Sequence, residues 1–210
     1  MTIRLALIAL AFALGGCVNL GQESGPGVVY YVLEDGVRAA ASAQPGDAVP
    51  PPDAPPQAGV PTLAVLDTRT SGFYDGDAIV FARSADTRGQ YQFARWTERP
   101  GRRLSELLRA RLERTGRYRV VPGGGYVRAR FALDTRLLEF YHDAASQPGK
   151  VRLALRAELI DLDTRTLLGR RTFEEQVPVQ TYDAAGAAAA SSVAAGRLLD
   201  DLDAWLARLR

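Results

Sequence analysis

The 210-residue sequence holds a single cysteine, a single histidine, a single methionine and a single lysine. One thiol cannot close an intramolecular disulfide or build a C-x-x-C zinc or redox motif. One imidazole, His142, removes most metal sites and Ser-His-Asp constellations before geometry is considered. No apolar run reaches the roughly 18–20 residues of a membrane-crossing helix, which excludes a polytopic membrane protein. An excess of one charge is also missing: 26 basic residues face 24 acidic ones. A formal +2 gives no reason to expect nucleic acid as a partner of the whole chain. There is no internal repeat, no G-x-S-x-G elbow and no Walker loop. Gly123 to Gly125 lack the Walker frame and read as a turn. What remains, 47% hydrophobic and 24% charged residues, is ordinary globular composition, enough for one domain with tails or linkers.

The N-terminus carries a processing signal. A short, weakly positive start (1–4) precedes the apolar run Leu5–Leu14, and then comes Leu14-Gly-Gly-Cys17. Charged start, apolar stretch and small residues are the order of a secretory signal. Ten to twelve apolar residues would span only about 15–18 Å as a helix, short of the hydrocarbon core. The Leu-Gly-Gly-Cys quartet resembles the bacterial lipobox. By that resemblance residues 1–16 are a lipoprotein signal peptide, and Cys17 receives diacylglycerol and, after cleavage, an N-acyl chain. Several acyl chains anchor stably where one binds marginally. The residue after the cysteine is Val18 rather than Asp, which by the same resemblance favours export to the outer membrane.

The mature chain divides into a lipidated tether (17–27), the apolar and β-branched stretch Val28–Leu33, a Pro/Ala-rich loop at 36–61, and one folded body; the domain as a whole covers 28–210. Seven of the twelve prolines lie between Gly36 and Pro61, a segment too poor in apolar surface to offset its ordering entropy. Val28–Leu33 reads as a strand, and the sequence leaves open whether it joins the sheet. If it does, about ten residues separate lipid from fold, and the body hangs within about 35 Å of the bilayer.

From Thr62 onward the patterns are sharper. Leu63–Leu66 reads as a buried strand. Ala78–Phe81 and Gln90–Trp96 form a hairpin across a turn-rich segment. Leu104, Leu107, Leu108 and Leu112 recur at helical spacing over 102–115, and Gly116 follows in the position that tolerates a left-handed residue. Tyr118–Val121 is a short strand. Phe131 and Leu133 are out of phase with Leu138 and Phe140, which predicts a bulge near Leu137. Val151 to Leu159 alternate apolar and polar, one face buried and one wet. Asp161 and Asp163 belong to the turn before a strand over 167–179; they lack the glycine and glutamate that would complete a calcium loop. Ala184–Leu209 is a long helix, capped by Asp183, with Ala195, Leu198, Leu199, Leu202, Trp205, Leu206 and Leu209 on its apolar stripe. The expected fold class is mixed α/β (α+β): a single domain with a mixed, largely antiparallel sheet covered by two main helices.

Few candidates for chemistry remain. Glu174 and Glu175 are adjacent on a strand and point to opposite faces, so they cannot act as a carboxylate pair. His142 lies at a strand end and reads as a solvated loop residue. Residues 95–130 hold eleven arginines against three glutamates. A solvated helix back accounts for them; the alternative is a surface facing acidic head groups or an acidic partner. Arg102, Arg103, Arg109 and Arg111 border the leucine stripe, so their stems can cover core edge while the heads reach outward. On that reading, reversing Arg103 and Arg109 to Glu leaves the fold intact and weakens association.

The order of these features resembles the ABC-type transport auxiliary lipoprotein family, which includes the lipoprotein of the paraquat-inducible system. The matching pieces are Leu14-Gly-Gly-Cys17, Tyr30-Tyr-Val-Leu33 before a Pro/Ala-rich gap, Leu63-Ala-Val-Leu66, Gly76–Phe81, and Gln90–Trp96 running into Trp96-Thr-Glu-Arg-Pro100. Arg170–Glu175 and the Ala-rich helix ending at Trp205-Leu206 complete the series. The resemblance covers essentially the whole mature chain. It implies a non-enzymatic lipoprotein on the periplasmic face of the outer membrane, an auxiliary or docking part of an MCE-type ABC system that moves lipids between membranes. Its implied partners are an MCE-domain protein and the ABC permease and ATPase; homo-oligomerisation stays open. It brings no catalytic residue, metal or cofactor beyond the covalent lipid on Cys17. A lipoprotein assembly factor or pilotin for another envelope complex is the alternative; a periplasmic hydrolase lacks its residues.

Overall fold

The computed structural model describes residues 27–36, 59–124 and 127–209. Strand β7 (Phe131–Asp143) organises the sheet. Along one edge it pairs antiparallel with β8 (Lys150–Asp161) over its whole length, and β8 pairs antiparallel with β9 (Thr166–Pro178). The other edge of β7 is shared by three parallel strands in succession. β2 (Thr62–Val65) takes Phe131 to Leu133, β3 (Arg69–Thr70) takes Arg136 and Leu137, and β4 (Ala78–Ala82) takes His142 and Asp143. Beyond them the sheet forks. One arm continues from β2 to β6 (Arg119–Pro122), the other from β4 through β5 (Gly89–Trp96) to β1 (Val29–Tyr31). The long ladders are antiparallel, and the parallel pairings are short.

The bulge expected near Leu137 is present: the β7–β8 register slips between Leu137 and Glu139. The extra residue moves Phe140 and His142 onto the buried face that Leu133, Thr135 and Leu137 occupy before it. Arg165, at φ +58°, closes the turn between β8 and β9, where the Asp161 side chain accepts from the backbone N–H groups of Asp163 and Thr164.

Two helices cover the inner face. α1 (Pro100–Arg114) packs on β6 and on α2 (Ala184–Arg208), which in turn packs on β8 and β9. Pro100 at the first position of α1 has no N–H to leave unsatisfied, and Gly116, at φ +64°, ends the helix as its spacing predicts. On α2, Asp183 accepts from Gly186 N–H at 2.7 Å. The leucine stripes of both helices, Trp96 and Trp205 lie in one core. Gly169 on β9 marks a close approach: a Cβ there would stand 3.0 Å from the Trp205 ring, so the helix packs flush on bare backbone.

The open question about Val28–Leu33 is answered by β1, which pairs in parallel with β5, Val29 opposite Ala94 and Tyr31 opposite Trp96. Of the N-terminal signal, the tether and the proline-rich loop, residues 1–26 and 37–58 lie outside the described residues, and Cys17 is among them. Among the described residues no helix is long and apolar enough to cross a membrane.

Candidate functional site

Two of the residues singled out for function, Arg103 and Arg111, meet the chain leaving β1, which is held to both helices. Leu33 is fully buried in the core. Its carbonyl accepts from Arg103 Nε at 2.8 Å, and the next amide, of Glu34, donates to Ser192 Oγ on α2 at 3.1 Å. Asp35 meets Arg111 of α1 head-on: Nε lies 3.0 Å from Oδ2, and Nη2 reaches both carboxylate oxygens at 2.5 and 2.6 Å. Arg111 also bonds Asp200 of α2, and Arg114 approaches Asp35 at 3.8 Å. At Gly36 the backbone presses on α2, with space for a Cβ taken by the Ser192 backbone at 2.6 Å. A short segment is thus held by backbone and charge contacts to both helices.

Burial disfavours the Arg111 charge, but Asp35, and behind it Asp200, outweigh that effect and hold the guanidinium above its ordinary pKa. Its arginine neighbours divide in two kinds. Arg109 donates to the Val65 carbonyl from Nε and Nη2 at 3.3 and 3.2 Å and bonds Asp67. Arg103 adds Glu106 to its Leu33 contact. Arg102 alone of the four points outward, 70% exposed and flanked by Glu98 at 2.9 Å and Glu106 at 3.6 Å. The packing therefore corrects one expectation. Arg103 and Arg109 donate to main-chain carbonyls, and a Glu at either position has no proton to replace them, so charge reversal there is expected to disturb the fold rather than leave it intact.

His142 is a second correction. It is no solvated loop residue but sits in β7 with 1% of its surface exposed. Nδ1 lies 2.8 Å from Tyr91 Oη and Nε2 lies 2.9 Å from the Pro148 carbonyl. The carbonyl can only accept, so Nε2 carries the proton and Nδ1 accepts from the tyrosine. Burial, then Tyr182 and Asp183, push the Tyr91 hydroxyl up to about 12, so it stays a donor. Both ring nitrogens are satisfied inside the protein, leaving no lone pair for a metal. The bulge in β7 set this outcome by turning His142 inward.

A buried hydroxyl cluster escaped sequence reasoning. Ser105 of α1 accepts from Thr68 N–H at 2.7 Å, and Thr68 Oγ1 lies 2.7 Å from Thr135 Oγ1 of β7. These hydrogen bonds pin α1 to the sheet. Ser105 falls on the helix face of the buried Leu104 and Leu108, and a small polar residue on an apolar stripe was the available signal. On the outer face of the sheet Arg69, Arg136 and Arg156 stand opposite one another in register. Asp134 bonds Arg69, and Glu158 bonds Arg170 on the neighbouring strand, so this face is a lattice of mixed charge. Among the described residues no group of three or more His, Cys, Asp or Glu is placed to hold a metal.

β1 presents the remaining feature. Val28, Val29, Tyr30 and Val32 are exposed, as is Phe93 on β5, although the residues immediately after them are locked into the core.

Comparison with known proteins gives these positions a setting. The sequence pattern of the family described as ABC-type transport auxiliary lipoprotein component matches residues 43–202. No curated protein matches. Among solved structures, protein XCC0632 from Xanthomonas campestris superposes with a TM-score of 0.68 at 22% identity, covering 85% of this chain and 94% of its own. A second, an uncharacterised protein, gives a TM-score of 0.60 at 14% identity over 70% of this chain and 92% of its own. At these identities the likeness is one of fold.

Proposed function

Because the chain belongs to the ABC-type transport auxiliary lipoprotein family, we propose that it is a lipid-anchored, non-enzymatic docking component of an MCE-type ABC system that moves lipids across the envelope. Cys17 carries the anchor, residues 1–16 are removed as a signal peptide, and residues 17–27 tether the domain 28–210 to the periplasmic face of the outer membrane. The observation that carries this reading is the family match over 43–202. It is supported by the Leu-Gly-Gly-Cys17 sequence and by Val18 after the cysteine. The fold supports it further: β1 joins the sheet, so a strand of the sheet lies within a dozen residues of the anchor. The proposed contact surface for the MCE-domain protein and its permease includes Arg102, the outward member of the arginine set. Arg103, Arg109 and Arg111 act on that surface through the helix they fix in place.

The test is affinity purification of the full-length protein from native membranes in mild detergent. Recovery of an MCE-domain protein with its ABC permease and ATPase is the expected result. Recovery instead of a secretion or pilus assembly complex would move the protein to the assembly-factor reading.

A further inference from the structure

Among the described residues, eleven large hydrophobic side chains are exposed, and five of them belong to β1, its flanks and the adjoining Phe93. Scattered single apolar residues are normal on a surface, but a contiguous group marks a contact. The register shows how the group forms. Tyr30 lies opposite Arg95, on the outer side, whereas Val29 and Tyr31 share the side of the buried Ala94 and Trp96. Alternation puts Val28, Val32 and Phe93 with Tyr30. Yet Val29, on the core side opposite Ala94, is also half exposed. β1 is therefore an apolar spur, exposed along its outer side and at Val29 while Tyr31 packs on the core, and an edge strand whose outer N–H and C=O groups pair with no described strand. Such an edge invites association unless something covers it.

We infer that the cover is the lipid bilayer itself: β1 lies in the headgroup layer and fixes the domain's orientation on the membrane. This rests on the proposed lipidation of Cys17. From Cys17 to Val28 the chain can reach no more than about 40 Å, so the spur is the part of the fold held nearest the anchor. An intramolecular contact of this kind needs little affinity of its own, since tethering supplies a high effective concentration. Val and Tyr suit the interface, where a tyrosine buries its ring and keeps its hydroxyl wet. The unpaired edge limits depth, because unsatisfied backbone groups are costly in hydrocarbon. The strand sits among headgroups, not among acyl chains. Its orientation is transmitted to the body because the residues that follow, Leu33 to Asp35, are bonded to Arg103, Ser192 and Arg111. The basic side chains Arg102 and Arg95 are matched, by Glu98 and Glu106 and by Asp77, so the docking rests on apolar contact and is insensitive to salt.

The experiment uses the full-length lipoprotein, purified in detergent and reconstituted into phosphatidylcholine vesicles containing brominated lipid, with Cys17 acylation read by mass spectrometry. Tyr30→Trp is the reporter, and Thr172→Trp, exposed on β9, is the control. Expected is quenching of the Tyr30→Trp signal several-fold stronger than that of the control, larger with bromines near the headgroup than near the chain ends, and unchanged by salt. Adding Val28→Ser and Val32→Ser should remove it without lowering the melting temperature. Acylated Cys17 with equal quenching at both positions overturns the docking and leaves the anchor standing. Shielding of position 30 that appears without lipid and grows with protein concentration overturns it in favour of a second copy of the chain. An unacylated Cys17 overturns the anchor and this inference with it.

Discussion

Arg111 and Asp35 form a two-pronged ion pair across 76 residues of sequence, with side chains only 12% and 10% exposed. The pair closes the gap between the first strand and helix α1, and the arginine's remaining nitrogen reaches α2 through Asp200. Three elements distant in the chain meet at one guanidinium.

Removing one partner of a buried pair leaves the other uncompensated, at a cost of about 3–5 kcal/mol. Arg111→Ala is expected near the lower end, about 3 kcal/mol, because Arg114 stands 3.8 Å from Asp35. The double variant Asp35→Asn, Arg111→Met should be less destabilised than the sum of its single changes. Urea titration of the four proteins checks this; strict additivity would show that the pair carries no coupling.

Trp205 packs edge-on against Phe173 at 5.7 Å between ring centroids and over Gly169. Trp205→Ala is expected to cost about 3–5 kcal/mol, since flush backbone cannot collapse into the hole. Calorimetric melting reads the loss, and an unchanged midpoint would remove Trp205 from the core's working set.

Asp183 caps α2, and the Gly186 N–H, then the Thr181 hydroxyl, hold its carboxyl below the ordinary value of 3.8. A depressed acid contributes stability above its unfolded pKa and loses it as pH falls through the folded one. Asp183→Ala should cost about 1 kcal/mol near neutrality. The gap between variant and parent should close as the pH drops below about 4. Paired melting curves across that range measure it; a constant gap would mean that the charge takes no part in the cap.

Cys17→Ser leaves no thiol in the sequence, so the variant is expected to accumulate as an unlipidated precursor retaining residues 1–16. Mass spectrometry of the intact protein decides, and an acylated mature form of this variant would end the lipobox assignment.

Periodicity and punctuation already specify much of this protein. The leucine spacing of α1, the stripe and cap of α2, Gly116, the alternation in β8 and even the phase slip in β7 are local patterns, because each element must bury one face whatever it packs against. Pairing across the chain is a different matter. Nothing local says that β2, β3 and β4 share one edge of β7 in parallel, since that depends on which strand ends can meet after the helices are in place. Nor does spacing tell which arginine heads reach solvent. Arg102 and Arg103 are neighbours on the same helix turn, yet one faces water and the other bonds the Leu33 carbonyl, a partner 70 residues away. The bulge turned His142 inward, but which groups its nitrogens meet, Tyr91 51 residues away among them, was decided by the tertiary structure. Residue type and period fix what an element buries; the identity of a long-range partner is settled only when the backbone brings distant groups within hydrogen-bond reach.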